Sequence, residues 1–532
     1  MKVQPRLERA LGAVILGATF LWFSLSRLAF APVPWPDGSA FYLPSLELLT
    51  WPPHWAMSPQ AAFEPSYAQV NFNIMPGHTI FLGLGTKLGV GALLGAAHAI
   101  KALSLVPLAL WAWALWRWLR REGVAPWIAA AVFFAALWDP TPRWGQLAVR
   151  TEAWMGFFWV LMLRELLALD RDPRREKRRL WRVAGYLSAA AFFHYEAVYL
   201  VPATAIGLFA RKPRDWLRRL LGISWRVVLL LSPWVVYLAL HFPLFVEQMS
   251  LQFNRLSHGN HHFSKPYLLF HSLFLWLGSP EGTPKFFNVG KGIFWGLVVA
   301  LTLRAAYLSR RPQGHLRLAA ALAFWTNLYL WWSKPEAWFT TLSHVTLWAW
   351  VGLELALLGR RQNRTRGALA WASAAFAALA LTATIGQAIR IPAHYDWATY
   401  RAWVDCIEGQ AELARKPGET VSVWQPAIPD VLVELSDRRP GGYRFTRSLD
   451  LQFRRAVAEE HGRQVDVLVL TRFFDVPLGS PPYSGPERES DRAQMSSETE
   501  LPFGPWALRE LGMRPRHVCQ FGPFWASVLR GR

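Results

Sequence analysis

Apolar runs close to the length of a bilayer span recur through the first 390 residues of this 532-residue chain, at 11–31, 93–118, 151–169, 221–241, 289–308, 336–358 and 367–390. A helix of about 20 apolar residues crosses the hydrocarbon core and satisfies its own backbone hydrogen bonds on the way. That repetition points to a polytopic α-helical membrane protein. Composition agrees: 53% of the residues are hydrophobic and 31 are Trp, well above the habit of soluble domains.

The net charge of +21 invites a nucleic-acid partner, but its distribution argues against one. Residues 391–532 hold 18 of the 57 Lys and Arg and 19 of the 36 Asp and Glu, which leaves 39 basic against 17 acidic before them. The excess sits in short stretches, Arg117–Arg121, Arg171–Arg182, Arg211–Arg219, Arg304–Arg317 and Arg360–Arg366. Basic loops on one side of a membrane set orientation, so the partners expected are lipids and not nucleic acid.

With those loops inside, the N-terminus is cytoplasmic and 11–31 runs outward. It follows Lys2, Arg6 and Arg9 with no clear cleavage site and reads as a retained signal anchor. Residues 32–75 form an outer loop. Segment 76–92 is apolar but short and Gly-rich, and is expected to lie in the interface rather than to cross. Spans at 93–118, 125–139 and 151–169 follow, then a hairpin of two short spans at 183–210 around His194-Tyr195-Glu196. Span 221–241 leads to a long outer loop, 242–288, with a dipping helix at 266–278; 289–308, 317–332, 336–358 and 367–390 complete about eleven spans. The expected division is a transmembrane domain at 1–390 and a small extracytoplasmic α/β domain at 391–532. Strand-like runs at Thr420–Trp424 and Val465–Leu470, a helical run after Pro429 and a Pro/Ser/Glu-rich loop at 477–501 mark that tail. Its two cysteines, Cys406 and Cys519, suit either a disulfide outside the cytoplasm or two unpaired small hydrophobes.

Chemistry is expected on the outer face, where polar groups gather at span ends: Asp37, His54, Glu64, His78, Arg143, Arg150, Glu152, His194, Glu196, His258, His261, His262, Lys265, Lys334 and Glu336. Ionisable groups there are costly unless paired or used. Asp37, just beyond the first span, is placed to act as a general base on a substrate delivered from the lipid. Arg150-Thr151-Glu152 opens a span, and the same residues suit an ordinary helix start. His258, His261 and His262 supply three imidazoles for a divalent metal or for hydrogen bonds to an acceptor; their spacing matches no defined metal motif. Lys334 suits a lipid phosphate or a snorkelling anchor. No P-loop and no dinucleotide fingerprint occurs, which disfavours an ATP- or NAD-driven enzyme.

These residues resemble the GT-C membrane glycosyltransferases, in particular the family of protein O-mannosyltransferases and the bacterial lipid A aminoarabinose transferase. Four features carry the resemblance: Asp37 with Tyr42 five residues on; Pro76-Gly77-His78 opening a short helix that ends in Lys87-Leu88-Gly89; Arg150-Thr151-Glu152-Ala153 opening an apolar span; and the tail runs Val421–Gln425, Arg438–Tyr443 and Val465–Leu468. Two departures stand out. Gly38 follows Asp37 where the family often has adjacent acids, which leaves Glu64 as the second candidate base. Ala337-Trp338 stands where many members carry Arg-Tyr. The resemblance implies an inverting transferase that takes a sugar from a polyprenyl-phosphate donor at the outer face of a bacterial inner membrane and passes it to a glycan, lipid or protein acceptor. Asp37 would be the base and Arg150 and Lys334 the donor-phosphate contacts. Tyr42, Glu64, His78, Glu152, His194, Glu196, His258, His261 and His262 would line the substrate site. No cofactor is implied, and a divalent metal stays open. A lipid-linked glycan polymerase or ligase is the alternative within enzymes. A transporter or flippase is the alternative outside them, although its usual midplane charges and paired repeats are not evident.

Overall fold

The computed structural model describes residues 17, 36–48, 55, 69–72, 74–138, 149–169, 172–211, 214–257, 296, 298–311, 313–330, 341–359, 397–414, 420–425, 431–439, 442–447, 467–468, 515–521 and 524–529. Its first part is helical: α1 Pro36–Leu48, α2 Pro76–Gly85, α3 Gly91–Leu94, α4 Ala96–Arg121, α5 Pro126–Trp138, α6 Glu152–Leu169, α7 Glu176–Phe193 and α8 Leu200–Arg211. Then come α9 Trp216–Leu230, α10 Ser232–Leu240, α11 Phe242–Ser257, α12 Val298–Tyr307, α13 Gly314–Leu330 and α14 Thr341–Gly359. Helices α1, α2 and α5 begin at a proline, which has no N–H to leave unsatisfied and a φ already suited to a first turn.

Helix α6 is the axis of the bundle, packed by α4, α7 and α14. Tryptophans 111, 118, 159 and 350 are fully buried there. At Gly156 a side chain would meet Val345 Cβ at 2.8 Å and Trp111 at 3.1 Å, so the glycine lets three helices close up. The basic ends are knotted by ion pairs. Glu354, fully buried, takes Arg304 Nε at 2.9 Å on one oxygen and Arg317 Nε at 2.7 Å on the other. Glu165 takes Arg164 at 3.0 Å and Arg179 at 3.1 Å on its two oxygens, with Arg182 at 3.4 Å. Each arginine thereby loses less by leaving water.

Two helical stretches among the described residues are long and apolar enough to cross a bilayer, Pro76–Leu94 and Ala96–Arg121; a third is α9 with α10, if that pair, bent by 67°, is one span. The expected count of about eleven also takes in residues outside those described. Segments 11–31 (except Gly17) and 367–390 lie outside the described residues, as do 266–278 and 477–501. Segment 76–94 is a broken helix, with a π turn at Thr86–Val90, a kink at Gly89 (φ 113°) and exposed Leu88 and Leu93. Three expected loops are helical in part, and the first, 32–75, holds α1. Arg171–Arg182 is helix from Glu176 onward, because Arg179 and Arg182 reach Glu165 while Glu176 binds Arg219 with both oxygens at 2.7 Å. The start of 242–288 is α11, whose Gln248 bridges Val70 O and Phe72 N–H at 2.7 and 2.8 Å.

The described part of the tail holds both helices and strands. Helix α15, Trp397–Ala414, and α16, Leu432–Arg438, accompany strands β1 Val421–Gln425, β2 Tyr443–Arg447, β3 Val467–Leu468, β4 Pro515–Phe521 and β5 Phe524–Leu529. The sheet order is β2-β1-β3-β5-β4, parallel on the β2-β1-β3 side and antiparallel on the other. Cys406 on α15 and Cys519 on β4 form a disulfide with Cα atoms 5.8 Å apart. Helix α16 lies against α1 and α4, and Arg401 donates to Leu94 O at 3.1 Å, so the tail seats on the helical part beside α1.

Candidate active site

Four chain segments meet where α6 begins. The first is the start of α1, which carries Asp37 in its first turn. A side chain at the next residue, Gly38, would touch Val149 at 3.5 Å. The second is the start of α2: Phe41 of α1 stands edge-on to His78 with ring centroids 5.3 Å apart. The third is Val149-Arg150-Thr151-Glu152. The fourth is the 3-10 turn Tyr195–Tyr199 between α7 and α8, entered through His194. Gly77 makes the junction tight, since a Cβ there would lie 2.7 Å from Phe192 O.

His78 holds this meeting together. Its Nε2–H donates to Val149 O at 3.1 Å, and its Nδ1 accepts from Trp154 Nε1–H at 3.2 Å. Both nitrogens are thus engaged by one neutral tautomer. The carbonyl it holds belongs to Val149, which has a φ of 60°. A β-branched residue in the left-handed region is strained, and such strain gathers where the chain is aimed for a purpose. Here it turns the chain into α6 and sets the direction of Arg150.

Arg150 grips one oxygen of Glu152, through Nε at 2.8 Å and Nη2 at 2.6 Å. Glu152 Oε2 is buried without a partner, and so are Glu196 Oε2, Thr151 Oγ1 and Tyr195 Oη. His194 Nδ1 accepts the Glu196 backbone N–H at 3.1 Å and lies 3.7 Å from Glu196 Oε2. The Glu152, His194 and Glu196 ligand atoms all lie within 4.8 Å of one another. Burial lowers His194 to about 4, so the ring is neutral at physiological pH. Burial, followed by the Glu152 charge, pushes Glu196 well above the usual carboxylate range. Tyr42, buried in α1, is raised to about 12 by desolvation and then by the nearby Asp437 of the tail. Buried polar atoms are nearly always satisfied, so a cluster of unsatisfied ones is a place prepared for something else.

The structure therefore brings together five residues read from the sequence, His78, Arg150, Glu152, His194 and Glu196, with the first turn of α1 against them. Glu64, His258, His261, His262 and Lys334 lie outside the described residues. The expected substrate contact His78 is instead spent on Val149 and Trp154, because both ring nitrogens are taken. Val149 and Trp154 were not legible as site residues. A strained φ is signalled in sequence by Gly or Asn, not Val, and Trp154 is one tryptophan among many.

Scanned against protein-family models and against curated protein sequences, the chain matches none. Solved structures do match. Over 97% of this chain and 98% of the other, the fold overlays ArnT from Cupriavidus metallidurans bound to undecaprenyl phosphate, with a TM-score of 0.59 at 14% identity. The apo state of the same protein gives 0.58 at 14% identity, covering 97% of each chain. The Archaeoglobus fulgidus oligosaccharyltransferase in complex with Zn and sulfate gives 0.50 at 12% identity, over 86% of this chain and 68% of that one. ArnT, an aminoarabinose transferase, and the oligosaccharyltransferase are both GT-C glycosyltransferases, and the fold of this chain is the GT-C fold of such membrane enzymes.

Proposed function

We propose that the protein is a glycosyltransferase that moves a sugar from a polyprenyl-phosphate donor to an acceptor hydroxyl, with inversion, at the outer face of a bacterial inner membrane. The observation that carries this reading is the under-satisfied polar cluster where α6 starts, in a fold shared end to end with an enzyme solved on undecaprenyl phosphate. In this mechanism the acceptor oxygen attacks the anomeric carbon while Asp37 takes its proton. The bond from that carbon to the phosphate oxygen breaks, and the lipid phosphate leaves with the electron pair. Arg150 and Lys334 offset the charge developing on it. Three helix starts, those of α1, α2 and α6, add the positive ends of their dipoles. Glu152 keeps Arg150 in place, His78 holds the Val149 turn that aims it, and the other outer-face candidates contact sugar or acceptor. The 391–532 tail is a separate extracytoplasmic domain, a placement supported by its disulfide, which persists in oxidising compartments.

The test is a mass-spectrometric profile of polyprenyl-phosphate sugars in cells expressing wild type or Asp37→Asn. One lipid-linked sugar should fall with wild type and recover with the variant, whose turnover drops about 10²–10⁴-fold. If no lipid-linked pool differs between the two, the reading fails.

A further inference from the structure

We propose that Glu152, His194 and Glu196 bind one divalent transition-metal cation, of the Zn²⁺ or Mn²⁺ class. Three observations support it. First, the ligand atoms of the three residues lie within 4.8 Å of one another, a spacing that small carboxylate rotations close to bonds of about 2.0–2.2 Å. Second, two carboxylate oxygens in this cluster, Glu152 Oε2 and Glu196 Oε2, are buried and have no partner, on residues only 1% and 6% exposed. Buried anionic oxygens left bare are costly unless paired or coordinated to a metal. Third, His194 presents the right nitrogen. Nδ1 already accepts a backbone N–H, so it carries a lone pair and coordination there releases no proton. The metal would replace that weak 3.1 Å bond with a stronger one.

Around these ligands the outer support is in place. Arg150 holds Glu152 by Oε1 through two N–H groups, which fixes the carboxylate while leaving Oε2 for the cation. Glu196 is held in the 3-10 turn Tyr195–Tyr199 between α7 and α8. An imidazole with two carboxylates favours Zn²⁺ or Mn²⁺ over Mg²⁺, which prefers oxygen alone. Charge adds a reason. Among the described residues of the cluster, two carboxylates face one guanidinium. A dication there adds positive charge, suited to an anionic headgroup. That last point rests on the proposed donor; the cation site does not.

The test uses full-length protein in detergent, stripped with EDTA. Mn²⁺ is titrated in while the electron paramagnetic resonance signal of free Mn²⁺ is read, and Zn²⁺ is then added as competitor. Wild type should take up one Mn²⁺ per chain and release it to Zn²⁺. Glu196→Gln and His194→Ala should each weaken binding at least tenfold while eluting as wild type in size exclusion, and Glu165→Gln, remote from the cluster, should bind as wild type. Wild type that takes up neither ion overturns the proposal, and this arm needs no variant to fold. Glu196→Gln binding as tightly as wild type overturns it too. Metal bound by a protein that transfers no sugar would leave this site standing and remove the glycosyltransferase reading. Sugar transfer by a protein that binds neither ion would do the reverse.

Discussion

Helix α6 carries a buried glutamate near each end, and the two are treated differently. Glu165 has arginine on both oxygens: Arg164 and Arg182 at one, Arg179 at the other. Glu152, about 20 Å away at 1.5 Å per residue, has one arginine on one oxygen and nothing on the other. Both are almost fully buried, at 3% and 1% exposure, so burial does not separate them. Satisfaction does. An acid whose lone pairs are all spoken for is holding helices together; one left half-open in a dry place is waiting for a partner. Glu354, with Arg304 and Arg317 on its two oxygens, belongs with Glu165.

The contrast can be broken most directly at the open end. Glu152→Gln should lower turnover about 10²-fold or more, since it removes the charge that orients Arg150, while the thermal melt in detergent stays near wild type. A variant that unfolds but keeps its activity per folded molecule would make Glu152 a second Glu165. The closed end should respond the other way. Glu165→Gln leaves three arginines without a counter-charge and should cost about 2 kcal/mol, less than the 3–5 of a fully buried pair because Arg182 reaches solvent. Its activity per folded molecule should be unchanged, as read by a melt and a rate assay on the same preparation.

The smallest effect concerns pH. Unfolded His194 protonates near its ordinary value of 6.5, and the folded ring only near 4. Between those values the unfolded chain binds more protons, so this residue makes stability fall as pH falls. Glu196, raised in the folded state, works in the opposite sense over the part of that window above the ordinary carboxylate value. Two opposed groups leave a shallow net slope. His194→Gln should remove the imidazole part and make the protein's melt relatively less acid-sensitive between pH 4 and 6.5. An unchanged slope would mean that the ring is protonated in the folded protein.

The helical membrane class was legible because span length is set by the bilayer and reads directly as apolar runs. Helix ends rich in polar residues were legible too, which is why Arg150-Thr151-Glu152 and His194-Tyr195-Glu196 stand out in the sequence and why they meet: both lie at ends of adjacent helices. Helices that begin in charged sequence were not. Arg179 and Arg182 read as a loop because their partner, Glu165, lies a helix away and local composition cannot announce it. Helix α11 was missed for a similar reason, since its Gln248 is tied to Val70 and Phe72 far back in the chain. The disulfide was one of two open readings, because spacing alone does not say which cysteines approach. Two of the tail strands, β1 and β3, were legible as β-branched runs; β2, β4 and β5 were not, nor was the order, with β3 between β1 and β5.

Gly77 has a use beyond this molecule. With Phe192 O only 2.7 Å from where its side chain would begin, any protein that keeps this helix crossing must keep a bare backbone at the position. At 14% identity most letters of such sequences have drifted past recognition. A glycine pinned by a neighbour's carbonyl drifts last, so Pro-Gly-His at a helix start, followed by an acid opening a later span, offers a steric watermark for finding distant kin that whole-chain comparison overlooks.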